Sequence, residues 1–161
     1  MRVAVVHDWL SESGGAEKVT RELIDLFHAD TFALVDFLND EDRAFILQGK
    51  HATSTFIQHL PASRRWFRWL LPIFPWAMSR LDLRNYDLIL SSSYAVAKSM
   101  RKRAGQVHVC YIHTPMRYAW VDEAGYLRDH GYTGARAWII KRALRYQREQ
   151  DKANSAQVDL F

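Results

Sequence analysis

The chain has 161 residues, 48% of them apolar, 25% charged and 13% aromatic, with a net charge of +4 and a single cysteine. That length suits one domain with a buried core rather than two ordinary ones, and the balance excludes a disordered or low-complexity chain. Cys110 sits in an apolar run and has no cysteine to pair with, so it is expected in the core of a protein from a reducing compartment, and the mild positive charge admits an anionic ligand or membrane surface without requiring nucleic acid.

Val3 to Val6 is an uninterrupted apolar run, which fits a strand buried on both faces of a parallel sheet. It is too short for the apolar region of a secretory leader. After His7-Asp8 and a polar loop come Gly14-Gly15 and a helical pattern. The two glycines allow a tight turn with no side chain between loop and ligand, and the helix start presents unpaired N–H groups to an anion; backbone geometry alone is the competing reason for the pair. Ala16, Val19, Leu23 and Leu26 are expected to form the apolar stripe of that helix, with Glu17, Lys18, Arg21, Glu22 and Asp25 in water. Neither a G-x-G-x-x-G fingerprint nor a G-x-x-x-x-G-K-[ST] loop is present.

Thr31 to Val35 reads as a second strand, followed by a polar turn over Asn39 to Arg43 and the apolar run Ala44 to Leu47. His51 to Leu60 reads as loop with a short helix. Ser63 to Arg80 is unusually rich in tryptophan and arginine, and Pro72 and Pro75 interrupt any continuous helix. Its uncharged centre is too short to span a bilayer. Arg64, Arg65, Trp66, Arg68 and Trp69 have the chemistry of an interfacial membrane contact, since indole rings sit at headgroup depth and guanidinium groups pair with phosphates. The alternative is a broken helix packed on the domain with arginines reaching outward.

Asp87 to Leu90 is a further strand that runs into Ser91-Ser92-Ser93, hydroxyls at the carboxyl end of a parallel strand, where open α/β sheets bind ligands. Capping of an Ala95 to Met100 helix is the other reading for Ser93. Val107 to Ile112 is the next strand. It delivers His113-Thr114-Pro115 to the same rim, with His113 steadied by the proline turn, whereas mid-strand His108 reads as structural. Gly134 to Ala153 is a basic helix with Ala137, Ile140 and Leu144 on one stripe. Val158 to Phe161 reads as the start of another strand.

Three stretches, MRVAVVHDWL with GGAEKV, YDLILSSSYAVAK, and HVCYIHTPMRYAW, together resemble the N-terminal half of a family 4 glycosyltransferase of bacterial lipopolysaccharide or exopolysaccharide synthesis, mannosyltransferases included. The resemblance implies an α/β Rossmann-like open parallel sheet with helices on both faces, spanning residues 1–161 as the acceptor-side domain of a GT-B fold. It implies a nucleotide sugar as donor substrate and a lipid-linked or saccharide acceptor. No metal or other cofactor is expected and no nucleic acid; the expected place is the cytoplasm, peripheral on the inner face of the plasma membrane.

By the resemblance, Gly14 and Gly15 approach the donor phosphates and His113, next to Thr114, lies by the donor sugar. Arg117 is expected on a phosphate or anionic acceptor, Asp8 at the acceptor hydroxyl, and Ser91 and Ser92 along the substrate. The donor-binding half with its E-x7-E pattern does not occur within these residues, so the chain is expected to be one part of an enzyme. Two rivals remain: a non-catalytic module that grips a glycolipid or partner, or half of a split transferase, and a nucleotide-dependent oxidoreductase, which the glycine spacing disfavours.

Overall fold

A computed structural model describes the backbone of residues 1–161 and every side chain except those of residues 117 and 118. Five strands form one all-parallel sheet: β1 (Val3–His7), β2 (Asp30–Ala33), β3 (Thr53–Ser54), β4 (Leu88–Ser93) and β5 (Val107–Ile112), in the order β3-β2-β1-β4-β5. This is the α/β Rossmann-like open parallel sheet that the resemblance implies. β1 lies at the centre, with Val5 opposite Thr31 on one side and Leu90 on the other. Strand order reverses between β1 and β4, so the chain's topological switch point falls at their carboxyl ends.

Burial on both faces explains the unbroken apolar run of β1. Val3 and Val5 pack with Ile24, Ala33, Ile46 and Leu47 beneath α1 (Gly15–Phe27) and α2 (Asp40–Leu47). Ala4 and Val6 point the other way, into a core with Phe32, Ile57, Phe67, Phe74, Met78 and Ile89. Because neighbouring side chains in a strand face opposite ways, both cores depend on one register, and a one-residue slip would exchange them.

Several expectations are corrected. The buried stripe of α1 is Glu17, Thr20 and Ile24, and Leu26 is 73% exposed. Hydrophobic spacing misplaced the face because two of the three buried positions are polar and paired with the sheet's rim. The segment read as a polar turn, Asn39 to Arg43, instead starts α2, which absorbs Ala44 to Leu47. Asn39 caps it by accepting the Asp42 N–H at 2.7 Å, and three acidic residues occupy its first turn. The expected Ala95 to Met100 helix is only a 3-10 turn over Ala97–Ser99. Within the expected loop at 51–60 the structure adds edge strand β3 beside a 3-10 turn, Phe56–His59.

Ser63 to Arg80 is a broken helix, as its prolines dictate: α3 (Ser63–Trp66), a 3-10 stretch Phe67–Ile73 containing Pro72, and α4 (Phe74–Met78) with Pro75 in its first turn. Phe67, Phe74, Ala77 and Met78 enter the core, while Trp69 is 72% and Trp76 56% exposed. α5 (Arg117–Trp120) and α6 (Glu123–Asp129) lead to α7 (Gly134–Ser155), whose stripe does fall on Ala137, Ile140 and Leu144 and continues to Gln147. Buried Lys98 pairs with Asp151 at 2.7 Å and so fastens α7 to the 3-10 turn. Leu160 makes one parallel bridge to Val109 on the outer edge of β5. Among the described residues no helix is long and apolar enough to cross a membrane.

Candidate functional site

Three strand ends meet at the switch point: His7 and Asp8 from β1, Ser91 to Ser93 from β4, and His113 just past β5. The register brings them level, with His7 opposite Ser92 and Ser93 opposite Ile112. The His113 N–H donates to the Ser93 carbonyl at 2.9 Å, which continues the ladder by one residue and fixes where the imidazole starts.

Asp8 is fully buried and organises the loop after β4. Its Oδ2 accepts the N–H groups of Tyr94 at 2.6 Å and Ala95 at 3.0 Å, and its Oδ1 those of Val96 and Ala97, each at 2.5 Å. The Ser93 hydroxyl donates to Oδ1 at 3.4 Å as a fifth contact. Five donors fill a carboxylate's acceptor capacity, so the expected placement of Asp8 at an acceptor hydroxyl is corrected. It satisfies a turn of backbone amides that would otherwise be buried unpaired.

His7 is also fully buried, and its ring ties α1 to the sheet. Its Nε2 lies 3.3 Å from Glu17 Oε1, and its Nδ1 lies 2.9 Å from Thr20 Oγ1 and 3.3 Å from Ser92 Oγ. Glu17 reaches back with Oε2 to accept the Gly14 N–H at 3.0 Å, the acidic half of a capping box. A Cβ on Gly14 would stand 2.7 Å from that oxygen, whereas one on Gly15 would meet nothing within 4 Å. A side chain at position 14 would require the Glu17 carboxylate to shift, and Gly15 leaves the helix start open on its outer side. Burial works to raise the Glu17 pKa, but the hydrogen bond and charge of His7, with the Gly14 amide, hold it below the ordinary value.

Ser92 joins this buried group to the rim. Its Oγ lies 2.8 Å from His113 Nε2 and 3.5 Å from the Ala16 carbonyl in the first turn of α1. The glycine turn and His113 thus share one edge of the sheet, as the sequence predicted. His113 is half-buried, with the rings of Tyr94 and Tyr111 at 6.4 and 5.0 Å. Burial first, and then the charge of His7, push its pKa down against the opposite pull of Asp8 and Glu17, so it favours the neutral ring.

The Ser92 hydroxyl thus lies within hydrogen-bond reach of His7 Nδ1, His113 Nε2 and the Ala16 carbonyl, and the Thr20 hydroxyl donates to the same carbonyl at 3.0 Å.

The remaining expected residues separate. Ser91 is fully buried, and its Oγ lies 2.8 Å from His108 Nε2, so its expected place along a substrate is corrected. Thr114 is exposed beside His113, and the Arg117 side chain lies outside the described residues. Arg64, Arg65, Arg68 and Trp69 are exposed, and Trp66 is half-buried with its indole N–H donating to the Pro61 carbonyl at 2.8 Å. Among the described residues no three His, Cys, Asp or Glu side chains gather as a metal site.

His7, Glu17 and Thr20 were not expected at the site. The spacing of Gly14 and Glu17 carried a signal, since an acid three residues after a helix start is the capping-box position. Nothing in the sequence showed that the same acid would also meet His7.

His108 matches its structural reading with one qualification: its Nδ1 is buried with no hydrogen-bond partner among the described residues. Burial, then the charge of Lys102, lower its pKa to about 4, while Asp159 opposes them. Between that value and the ordinary 6.5 the unfolded chain binds a proton that the folded chain does not, so stability rises with pH and acidification removes it. The full span is worth at most about 3 kcal/mol. Urea midpoints measured across this pH window should fall on acidification in the wild type and stay flatter in His108→Gln, whose amide still serves Ser91.

Comparison of the chain with protein-family models, curated proteins and solved structures returned no match.

Proposed function

We propose that this chain is the acceptor-side domain of a GT-B glycosyltransferase, which moves a sugar from a nucleotide-sugar donor to a lipid-linked or saccharide acceptor in cell-surface polysaccharide synthesis. The observation that carries this reading is the junction at Ser92, where a neutral histidine past β5 meets the first turn of the glycine-led helix α1 at the switch point of a parallel sheet. Glycosyl transfer asks for donors toward a departing diphosphate and for a polar group beside a sugar ring that gains positive charge. The amides of Gly15 and Ala16, the first of α1, lie beyond the helix ladder and suit the first need. The imidazole of His113 suits the second.

The test is transfer of labelled sugar from a panel of nucleotide sugars to membrane extracts, by the chain alone and with a separately supplied donor-binding half. Transfer under either condition supports the proposal. Donor and acceptor that bind without transfer under both conditions would instead favour a non-catalytic glycolipid-binding module.

The same proposal places the protein on the cytoplasmic face of the membrane through Arg64, Arg65, Arg68 and Trp69. Phe67 and Phe74 anchor this segment in the core, so its exposed arginines and indole are held on a fixed backbone. Each arginine near an anionic surface is worth about 1 kcal/mol, so Arg64→Gln/Arg65→Gln/Arg68→Gln should weaken binding to anionic vesicles by roughly two orders of magnitude at low salt. Cosedimentation checks this, and wild-type binding should fade as salt rises. Equal binding to neutral vesicles would remove the electrostatic part of the assignment.

A further inference from the structure

A second concave surface lies at the opposite, amino end of the sheet. Residues 79–84, leading toward β4, and 101–103, leading toward β5, enclose an open cleft of ≈ 540 Å³. Five cations line it, Arg80, Arg84, Arg101, Lys102 and Arg103, against one carboxylate, Asp82. Two of them are neutralised: Arg84 grips Asp82 through Nε at 2.6 Å and NH2 at 2.5 Å, and Lys102 pairs with Asp159 at 2.5 Å. Arg80, Arg101 and Arg103 have no carboxylate partner among the described residues. The hydrogen bonds of Arg84, and then the fields of Arg84 and Arg103, keep the Asp82 pKa at about 2, so the cleft's one acid is already committed.

The geometry points to a binding site in this cleft for a phosphate group carrying more than one negative charge, seated between Arg80 on one wall and Arg101 and Arg103 on the other. Guanidinium groups suit phosphate because their planar N–H forks match its oxygens two at a time. The volume accommodates a diphosphate or a phosphorylated headgroup. Trp76, exposed, lines two separate hollows, one with Arg80 and the other with Arg101. An indole beside phosphate-binding arginines fits a lipid headgroup as readily as a free anion. The inference does not depend on the transferase reading, because the cleft lies at the other end of the sheet from His113.

The experiment titrates the full chain with pyrophosphate by calorimetry at low salt and, separately, with vesicles containing phosphatidic acid or only neutral lipid. Arg80→Gln/Arg101→Gln/Arg103→Gln should weaken binding by about tenfold or more. Asp82→Asn should strengthen it, a change of opposite sign that damage to the fold would not produce. Surface substitutions of this kind leave stability nearly unchanged, and the unfolding midpoint checks that. Binding of pyrophosphate that follows this pattern identifies a soluble ligand. Binding only to phosphatidic acid vesicles, again with this pattern, identifies a headgroup. No binding to either probe, or binding lost in the Arg64/Arg65/Arg68 variant and not in the cleft variant, overturns the site.

Discussion

Asp8→Ala is expected to lose roughly 3–5 kcal/mol of stability, the largest effect of any single substitution considered, in a domain whose whole margin is of the order of 5–15 kcal/mol. The carboxylate is fully buried and gathers the amides of Tyr94, Ala95, Val96 and Ala97, so removing it strands four donors beneath the loop that follows β4. Alanine offers them nothing, and the space left is too enclosed for each amide to regain a water partner. Asp8→Asn should fall between, at about 2 kcal/mol, since its carbonyl oxygen still accepts while its NH2 turns a donor toward donors. Urea unfolding of both variants measures this ladder. An Asp8→Ala protein as stable as the wild type would show that the loop does not need its anchor and would return Asp8 to consideration as a residue that touches substrate.

The second large effect is on turnover. If the chain acts in sugar transfer, His113→Ala in the active enzyme should lower kcat by about 10²–10⁴-fold, the range of a positioned proton-transferring or polarising group, and lower stability by only about 1 kcal/mol. Half-burial and a single side-chain hydrogen bond among the described residues, to Ser92, account for the small stability change. Ser92→Ala separates the two histidines while leaving both in place. It should reduce kcat less than His113→Ala does, with little change in KM. Wild-type turnover in His113→Ala would withdraw that residue.

Most of the sheet was legible because buried parallel strands announce themselves as short apolar runs, and β1, β4 and β5 do so plainly. The two-residue edge strand β3 carries no such pattern, since pairing with β2 alone makes it a strand. α2 was misread because its first turn is acidic, which looks like a polar loop until the capping Asn39 and the helix dipole are weighed together. At the site, His113 and the glycine turn could be placed on one rim from their positions after strands and before a helix. The roles of His7, Glu17 and Asp8 could not, since each depends on a partner 10 or more residues away that only the folded register supplies.

The run Ser91-Ser92-Ser93 looks redundant as text, yet its three hydroxyls serve different masters: His108 on one face of β4, the His7 and His113 pair on the other, and the Asp8 anchor at the strand's end. Alternating side-chain direction divides the labour, so alanine placed at each position in turn would produce three unlike phenotypes. A homopolymeric tripeptide can hold position-specific information as densely as a varied one when every residue projects into its own neighbourhood.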